Sequence, residues 1–135
     1  MTVFTSEQKS LDAAIMTLAK NVKIRTSETG AVGAFTTAHI INGVYHQTDG
    51  GTPGTRTTPT ATAIVAAIRG CAVGTSFRLL VHNADAADTL TVAAGTGVTG
   101  YGPLTVAAGL TREFVFVVTN VDTPAVAMYG LAVTV

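Results

Sequence analysis

From Gly74 onward the chain repeats one device, a short run in which apolar and polar residues alternate, followed by a turn. Phe77, Leu79 and Val81 alternate with Arg78, Leu80 and His82, and Leu90 and Val92 with Thr89 and Thr91. Leu104 and Val106 come next, then Phe114, Phe116 and Val118 between Glu113, Val115 and Val117, and a last run from Val126 to Val135. A period of two puts every second side chain on one face of a strand. The breaks at Asn83 to Asp88, Gly95 to Gly97, Gly109 and Asn120 to Pro124 are built from turn formers. Short strands at such regular spacing predict a sandwich or jelly roll rather than a parallel sheet. The run through Phe116 is apolar on both faces, which predicts a central or interfacial strand.

Composition supports this reading. The 135 residues include 24 Thr, 21 Ala, 17 Val and 14 Gly, with three Lys and no Trp. β-branched Thr and Val suit a pleated surface, and long helices would draw on more Leu, Glu and Lys. The expected fold class is mainly β: a jelly-roll-like β-sandwich with an N-terminal helix and one short helix near residues 60–69. One domain spans 1–135, with a helical arm about 5–19, a mobile loop about 48–59 and a sandwich body about 20–135.

Two helices are expected. Thr5 and Gln8 stand at capping-box spacing, and Leu11, Ile15 and Leu18 recur on one helical face that must bury against this chain or a neighbour. Thr60 to Gly70 has apolar Ile64, Val65 and Ile68 and a terminating glycine, and Pro59 sets where the helix begins. Between Asn21 and Gln47 two or three short strands are expected. Thr48 to Pro59 has three Gly, two Pro and no large apolar side chain, so it is expected to be an exposed loop. Leu90-Thr91-Val92-Ala93-Ala94-Gly95 recurs as Leu104-Thr105-Val106-Ala107-Ala108-Gly109, two similar strand-plus-turn units expected in one sheet. A single duplicate falls short of a solenoid.

Charge narrows the partners. Eight basic residues balance eight acidic ones, charged residues are 12% of the chain and the pI is about 6.8, so no positive field draws a phosphate backbone. Charges scattered through residues 1–30 interrupt any signal-peptide core or membrane span. The expectation is no nucleic acid and no membrane. Cys71 alone provides neither a disulfide nor a multi-Cys zinc site, and fits synthesis in a reducing cytoplasm.

Candidate chemistry is sparse. His39, His46 and His82 with Asp49 or Asp85 could bind a metal, but their spacing follows no ligand pattern. Ser10 and Ser76 lack a nucleophile elbow, and Cys71 lacks a local signature. Asp85 and Asp88 are read as Asx-turn residues, and Gly95 to Gly100 as a hairpin turn without the lysine and helix of a phosphate loop. Tyr45, Tyr101 and Tyr129 are scattered, which gives a sugar-stacking site no support. No catalytic residue, cofactor or metal site is expected.

The segments Thr60-Ala61-Thr62-Ala63-Ile64-Val65-Ala66-Ala67-Ile68, Val73 to Leu79, Val81-His82-Asn83, Leu90 to Val98 and Phe116 to Val121 carry a resemblance. Between Thr57 and Leu131 the chain resembles the small capsid cement or decoration proteins of tailed bacteriophages. That resemblance implies a jelly roll, a homodimer or homotrimer on the outer surface of the virion, the major capsid protein as partner, and no catalysis. No motif of the family transfers a role to a particular residue. Val115, Val117, Tyr129 and Leu131 are the candidate oligomer-facing positions. Leu11, Ile15, Leu18, Thr52 and Arg56 are the candidate capsid contacts. The alternative is a tail or fibre module that binds a host glycan, with Tyr45 or Tyr101 at the contact. An enzyme would require His39, His46 and His82 to converge with a carboxylate.

Overall fold

The computed structural model describes residues 25–48 and 51–132. Six strands form one sheet: β1 (Arg25–Glu28), β3 (Val44–Gln47), β5 (Ser76–Asn83), β7 (Val98–Tyr101), β9 (Thr111–Asn120) and β10 (Ala125–Gly130), in the spatial order β1-β3-β5-β9-β10-β7. A second sheet holds β2 (Val32–Ala34), β4 (Gly54–Thr57), β6 (Leu90–Ala93) and β8 (Thr105–Val106), in the order β2-β4-β6-β8. The chain therefore changes sheet at every step from β1 to β9. Among the described residues, β9–β10 is the one pair of consecutive strands joined as a hairpin.

This winding decides strand direction. From β1 to β6 each return to a sheet lays the next strand beside the previous one, running the same way, whereas β8 returns antiparallel to β6. β1, β3 and β5 are parallel, and β2, β4 and β6 repeat the arrangement in the other sheet. β7 pairs parallel with β10, while β5–β9, β9–β10 and β6–β8 are antiparallel. The mainly β, two-sheet reading holds. The expectation against parallel pairing is corrected, because period-two alternation reports which face is buried and is silent about direction.

The inward faces of both sheets meet in one core. Leu79, Val81, Phe114, Phe116, Val118 and Met128 of the larger sheet pack with Leu90, Val92 and Val106 of the smaller. Each such side chain contributes about 1.5–3 kcal/mol by leaving water. Phe77 and Phe116 are register partners, with rings stacked at 4.8 Å. The two copies of the hexapeptide echo are neighbours in the smaller sheet, with Leu90 opposite Val106 and Thr91 opposite Thr105.

The short helix expected near 60–69 is α2 (Ala61–Ala67), which follows α1 (Thr37–Ile40). The Thr60 hydroxyl caps α2 by accepting the Ala63 N–H at 3.1 Å, and Ala61 and Ile64 face the core. α1 is an addition to the sequence reading. Its capping box joins Thr36 to His39, where imidazole replaces the usual Glu or Gln. The helix expected at about 5–19, with Leu11, Ile15 and Leu18, lies outside the described residues.

Two local expectations are corrected. Thr48 to Pro59 contains strand β4, whose Gly54 and Arg56 turn inward, followed by buried Thr58. Backbone pairing to β2 and β6 and the hydrogen bonds of Arg56 order it, in place of the apolar burial that the segment lacks. Gly95 to Gly97 is a turn that crosses between sheets, because β6 and β7 belong to different ones. The last strand ends at Gly130.

Candidate interaction face

On β9 the side chains of Phe114, Phe116 and Val118 are spent on the core, so Val115 and Val117 point the other way. The register carries that outer face across the sheet. Val115 lies opposite Arg78 on β5 and Tyr129 on β10, and Tyr129 lies beside Tyr101 on β7. Val117 lies opposite Ser76 and Ala127. Leu131 follows directly, its N–H donating to the Glu113 carbonyl at 3.0 Å. Val115, Val117 and Tyr129 are thus brought together on one face of one sheet, with Leu131 just past the end of β10.

The face exposes apolar side chains around one ion pair. Tyr101 is 49% exposed, Tyr129 43%, Leu131 40% and Leu80 36%. The Tyr101 and Tyr129 rings stack at 5.1 Å and 17°. Residues that are 28 positions apart in sequence become one aromatic platform through the parallel β7–β10 ladder, which corrects the reading of the tyrosines as scattered. Arg78 Nη1 donates to Glu113 Oε1 at 2.9 Å beside them, a surface pair that contributes at most about 1 kcal/mol and leaves the face nearly neutral.

Farther along the same sheet, β1, β3, β5 and β9 align Ser27, His46, His82 and Thr111. The two imidazoles stack at 5.1 Å, and His82 Nδ1 lies 2.7 Å from Thr111 Oγ1. His46 is held below the ordinary histidine pKa by desolvation, then by the charge of Arg25 and by His82. His39 is elsewhere, 3.7 Å from Glu28 and tilted against Tyr45. The three histidines do not converge. Among the described residues, no three His, Cys, Asp or Glu side chains group closely enough to enclose an ion.

Two candidates belong to the interior. Arg56 is 5% exposed, its Nε donating to Gln47 Oε1 and its Nη2 to the Gly30 carbonyl. Its proposed role as a capsid contact is corrected, since a guanidinium closed between the sheets cannot reach a neighbour. Tyr45 is fully buried and donates its hydroxyl hydrogen to Glu28 Oε2 at 2.7 Å, so it is withdrawn as a glycan contact. Burial first, and that hydrogen bond second, raise its pKa above the usual tyrosine value. Thr52 is exposed.

Neither carboxylate of the Asn83–Asp88 turn adds a reacting group. Asp85 Oδ1 accepts the N–H groups of Ala87 and Asp88, both at 2.9 Å, which is the Asx turn expected from sequence. A pocket beside it, lined by Gln47, Thr52, Asn83 and Thr89 among others, has a volume of about 10 Å³, room for one water at most. Cys71 is half-buried against the core.

Leu80 was within reach of sequence reasoning, because it occupies an outward position of a strand whose alternation is plain. The Tyr101–Tyr129 pair was not, since it depends on a ladder that only the fold defines. No helix among the described residues is long and apolar enough to cross a membrane. Comparison with protein-family models, with curated proteins and with solved structures finds no match.

Proposed function

We propose that this chain is a non-enzymatic structural protein of a bacteriophage virion. In this reading it sits on the outer capsid surface, bridges neighbouring major capsid proteins and associates with itself as a dimer or trimer. The observation that carries the reading is the outer face of the six-stranded sheet, on which, among the described residues, Leu80, Tyr101, Tyr129 and Leu131 are exposed around half-buried Val115. Contiguous exposed apolar surface marks a place where another macromolecule binds. Burying it releases about 25 cal/mol per Å² before the costs of association. A shell that presents many equivalent sites then multiplies modest contacts.

The jelly-roll part of the reading draws its support from the two sheets around one core and from the antiparallel β5–β9–β10 and β6–β8 ladders. The parallel ladders of β1 to β6 are a departure from that plan.

Co-sedimentation of the purified chain with capsid shells tests the role. The chain is expected to pellet with the shells, and Val115→Asp with Val117→Asp is expected to abolish pelleting. A wild-type chain that stays in the supernatant, or a variant that pellets equally, overturns the reading.

The alternative, a tail or fibre module on a host glycan, is favoured by the Tyr101–Tyr129 platform alone. Each ring spends one face on its neighbour, which leaves one outer ring face for a sugar. Glycan-array binding that is lost on Tyr101→Ser would favour it.

A further inference from the structure

His46 and His82 are direct register partners on the parallel strands β3 and β5, so their side chains leave the same face of the sheet side by side. Their ring centroids are 5.1 Å apart at 28°. Both residues are half-buried, so solvent reaches them. The neighbours favour ligation. Thr111 Oγ1 engages His82 Nδ1 at 2.7 Å, which leaves Nε2 as the nitrogen for a ligand, the outer-shell arrangement that orients metal-binding imidazoles.

From this geometry we infer that His46 and His82 form a two-imidazole chelate for a late first-row divalent ion, with water completing the coordination. Metal–nitrogen bonds of about 2.0–2.1 Å bring two ligating nitrogens to about 3 Å. The stacked rings reach that geometry by rotation of the His46 side chain, with His82 kept in the orientation that Thr111 holds. Imidazole donors select Cu²⁺, Ni²⁺ and Zn²⁺ over Mg²⁺ and Ca²⁺, with Cu²⁺ the tightest. Two protein ligands make an exchangeable site. Arg25 lies on the neighbouring strand β1, two positions before Ser27, the register partner of His46, and its charge repels a bound cation. The inference stands apart from the capsid reading, because it needs neither a shell nor a second copy.

Calorimetric titration of the full chain with Cu²⁺, then Ni²⁺ and Zn²⁺, in a non-chelating buffer near neutral pH tests it, with NMR of the imidazole protons alongside. One ion per chain is expected, with paramagnetic Cu²⁺ broadening the His46 and His82 signals before that of His39. His46→Asn or His82→Asn is expected to weaken binding at least tenfold, roughly the scale on which even outer-shell losses act. Arg25→Gln is expected to tighten it. Broadening of His39 first, or unchanged affinity in both asparagine variants, overturns the inference. The broadening order is read on the wild-type chain and does not depend on any variant folding.

Discussion

Arg56 of β4 donates its Nε–H to Gln47 Oε1 of β3 at 3.0 Å, a side-chain contact that joins the two sheets inside the protein. Both residues are buried. The same guanidinium donates to the Gly30 carbonyl at 3.1 Å, approaches Glu28 at 3.4 Å and lies 5.7 Å from the centre of the Tyr45 ring. Gln47 also donates to Gly30 at 2.9 Å. One cation of β4 thereby engages Glu28 of β1, Gln47 of β3 and the backbone of Gly30.

Removing that cation should be costly. Arg56→Met keeps much of the volume but removes the Arg56 donor to Gln47 Oε1 and one of the two donors to the Gly30 carbonyl, and a loss of about 2–4 kcal/mol is expected. Most of it comes from the buried hydrogen bonds, since Glu28 is partly exposed and its pairing is screened. Urea unfolding should show a lower midpoint at an unchanged slope. Arg56→Lys should recover little, because an ammonium cannot reproduce the planar fork.

Arg56 also shows why the sequence was readable in places and opaque in others. Along β5 and β9 the inward positions are Phe, Leu and Val, so alternation exposes strand and face together. In β4 the inward positions are Gly54 and Arg56, and a strand with such an interior reads as a loop. Thr60 and Gly70 marked α2 by local chemistry. Nothing local marks the parallel ladders, because the partner of Val44 is Leu80, 36 residues later, beyond an excursion through β4 in the other sheet and a helix. Val115 and Val117 could be assigned an outward face from one strand, but their aromatic neighbours depended on that long-range register.

Tyr45 should give the protein an alkaline limit. Its folded-state pKa is raised, so above the unfolded value of about 10 the unfolded chain releases a proton that the folded chain keeps. The unfolded state then binds fewer protons, and stability falls as pH rises, with a limiting slope of about 1.4 kcal/mol per pH unit from this group. The contribution is fully present below pH 10. Unfolding free energies measured from pH 9 to 11.5 should decline, and Tyr45→Phe should flatten the decline while losing the hydrogen bond to Glu28 at all pH values. Equal slopes in the two proteins would exclude Tyr45 as the cause.

Asn83 closes β5 with three hydrogen bonds and is buried. Its Nδ2 donates to the carbonyls of Asp88 at 2.8 Å and Val106 at 2.9 Å, and its Oδ1 accepts the Asp85 N–H at 3.1 Å. Asn83→Asp is nearly isosteric but offers no donor to the two carbonyls when ionised. It should cost about 2–4 kcal/mol near neutral pH and less in acid, where a protonated carboxyl donates once. Thermal unfolding of the variant at pH 4 and pH 7, each referred to wild type, checks the difference.

Tyr101 and Tyr129 should matter to association far more than to folding. Both are exposed, and stacking of this kind contributes about 0.5–1.5 kcal/mol. Tyr101→Thr with Tyr129→Thr retains β-forming residues and should lower stability by no more than that. If the face joins copies of the chain, sedimentation equilibrium should show wild-type oligomers and a monomeric double variant at the same micromolar concentration. Oligomers of equal size in both would move the contact to another surface.

Gly130 and Gly74 separate two reasons for a glycine. A Cβ on Gly130 would stand 1.8 Å from the Pro103 carbonyl oxygen, a backbone atom that yields only if the β7–β8 turn moves. Gly74 has φ +92°, and a Cβ there meets nothing within 4 Å. Gly74→Ala should therefore cost only the left-handed backbone penalty, about 1–2 kcal/mol. Gly130→Ala should cost about 1–3 kcal/mol or more from overpacking. Because its strain displaces the turn beside Tyr101, it should also alter the near-ultraviolet circular dichroism of the stacked tyrosines, which Gly74→Ala leaves unchanged. A Gly130→Ala protein with wild-type aromatic dichroism and an unchanged denaturation midpoint would show that the β10 end and the Pro103 turn are not in contact in solution.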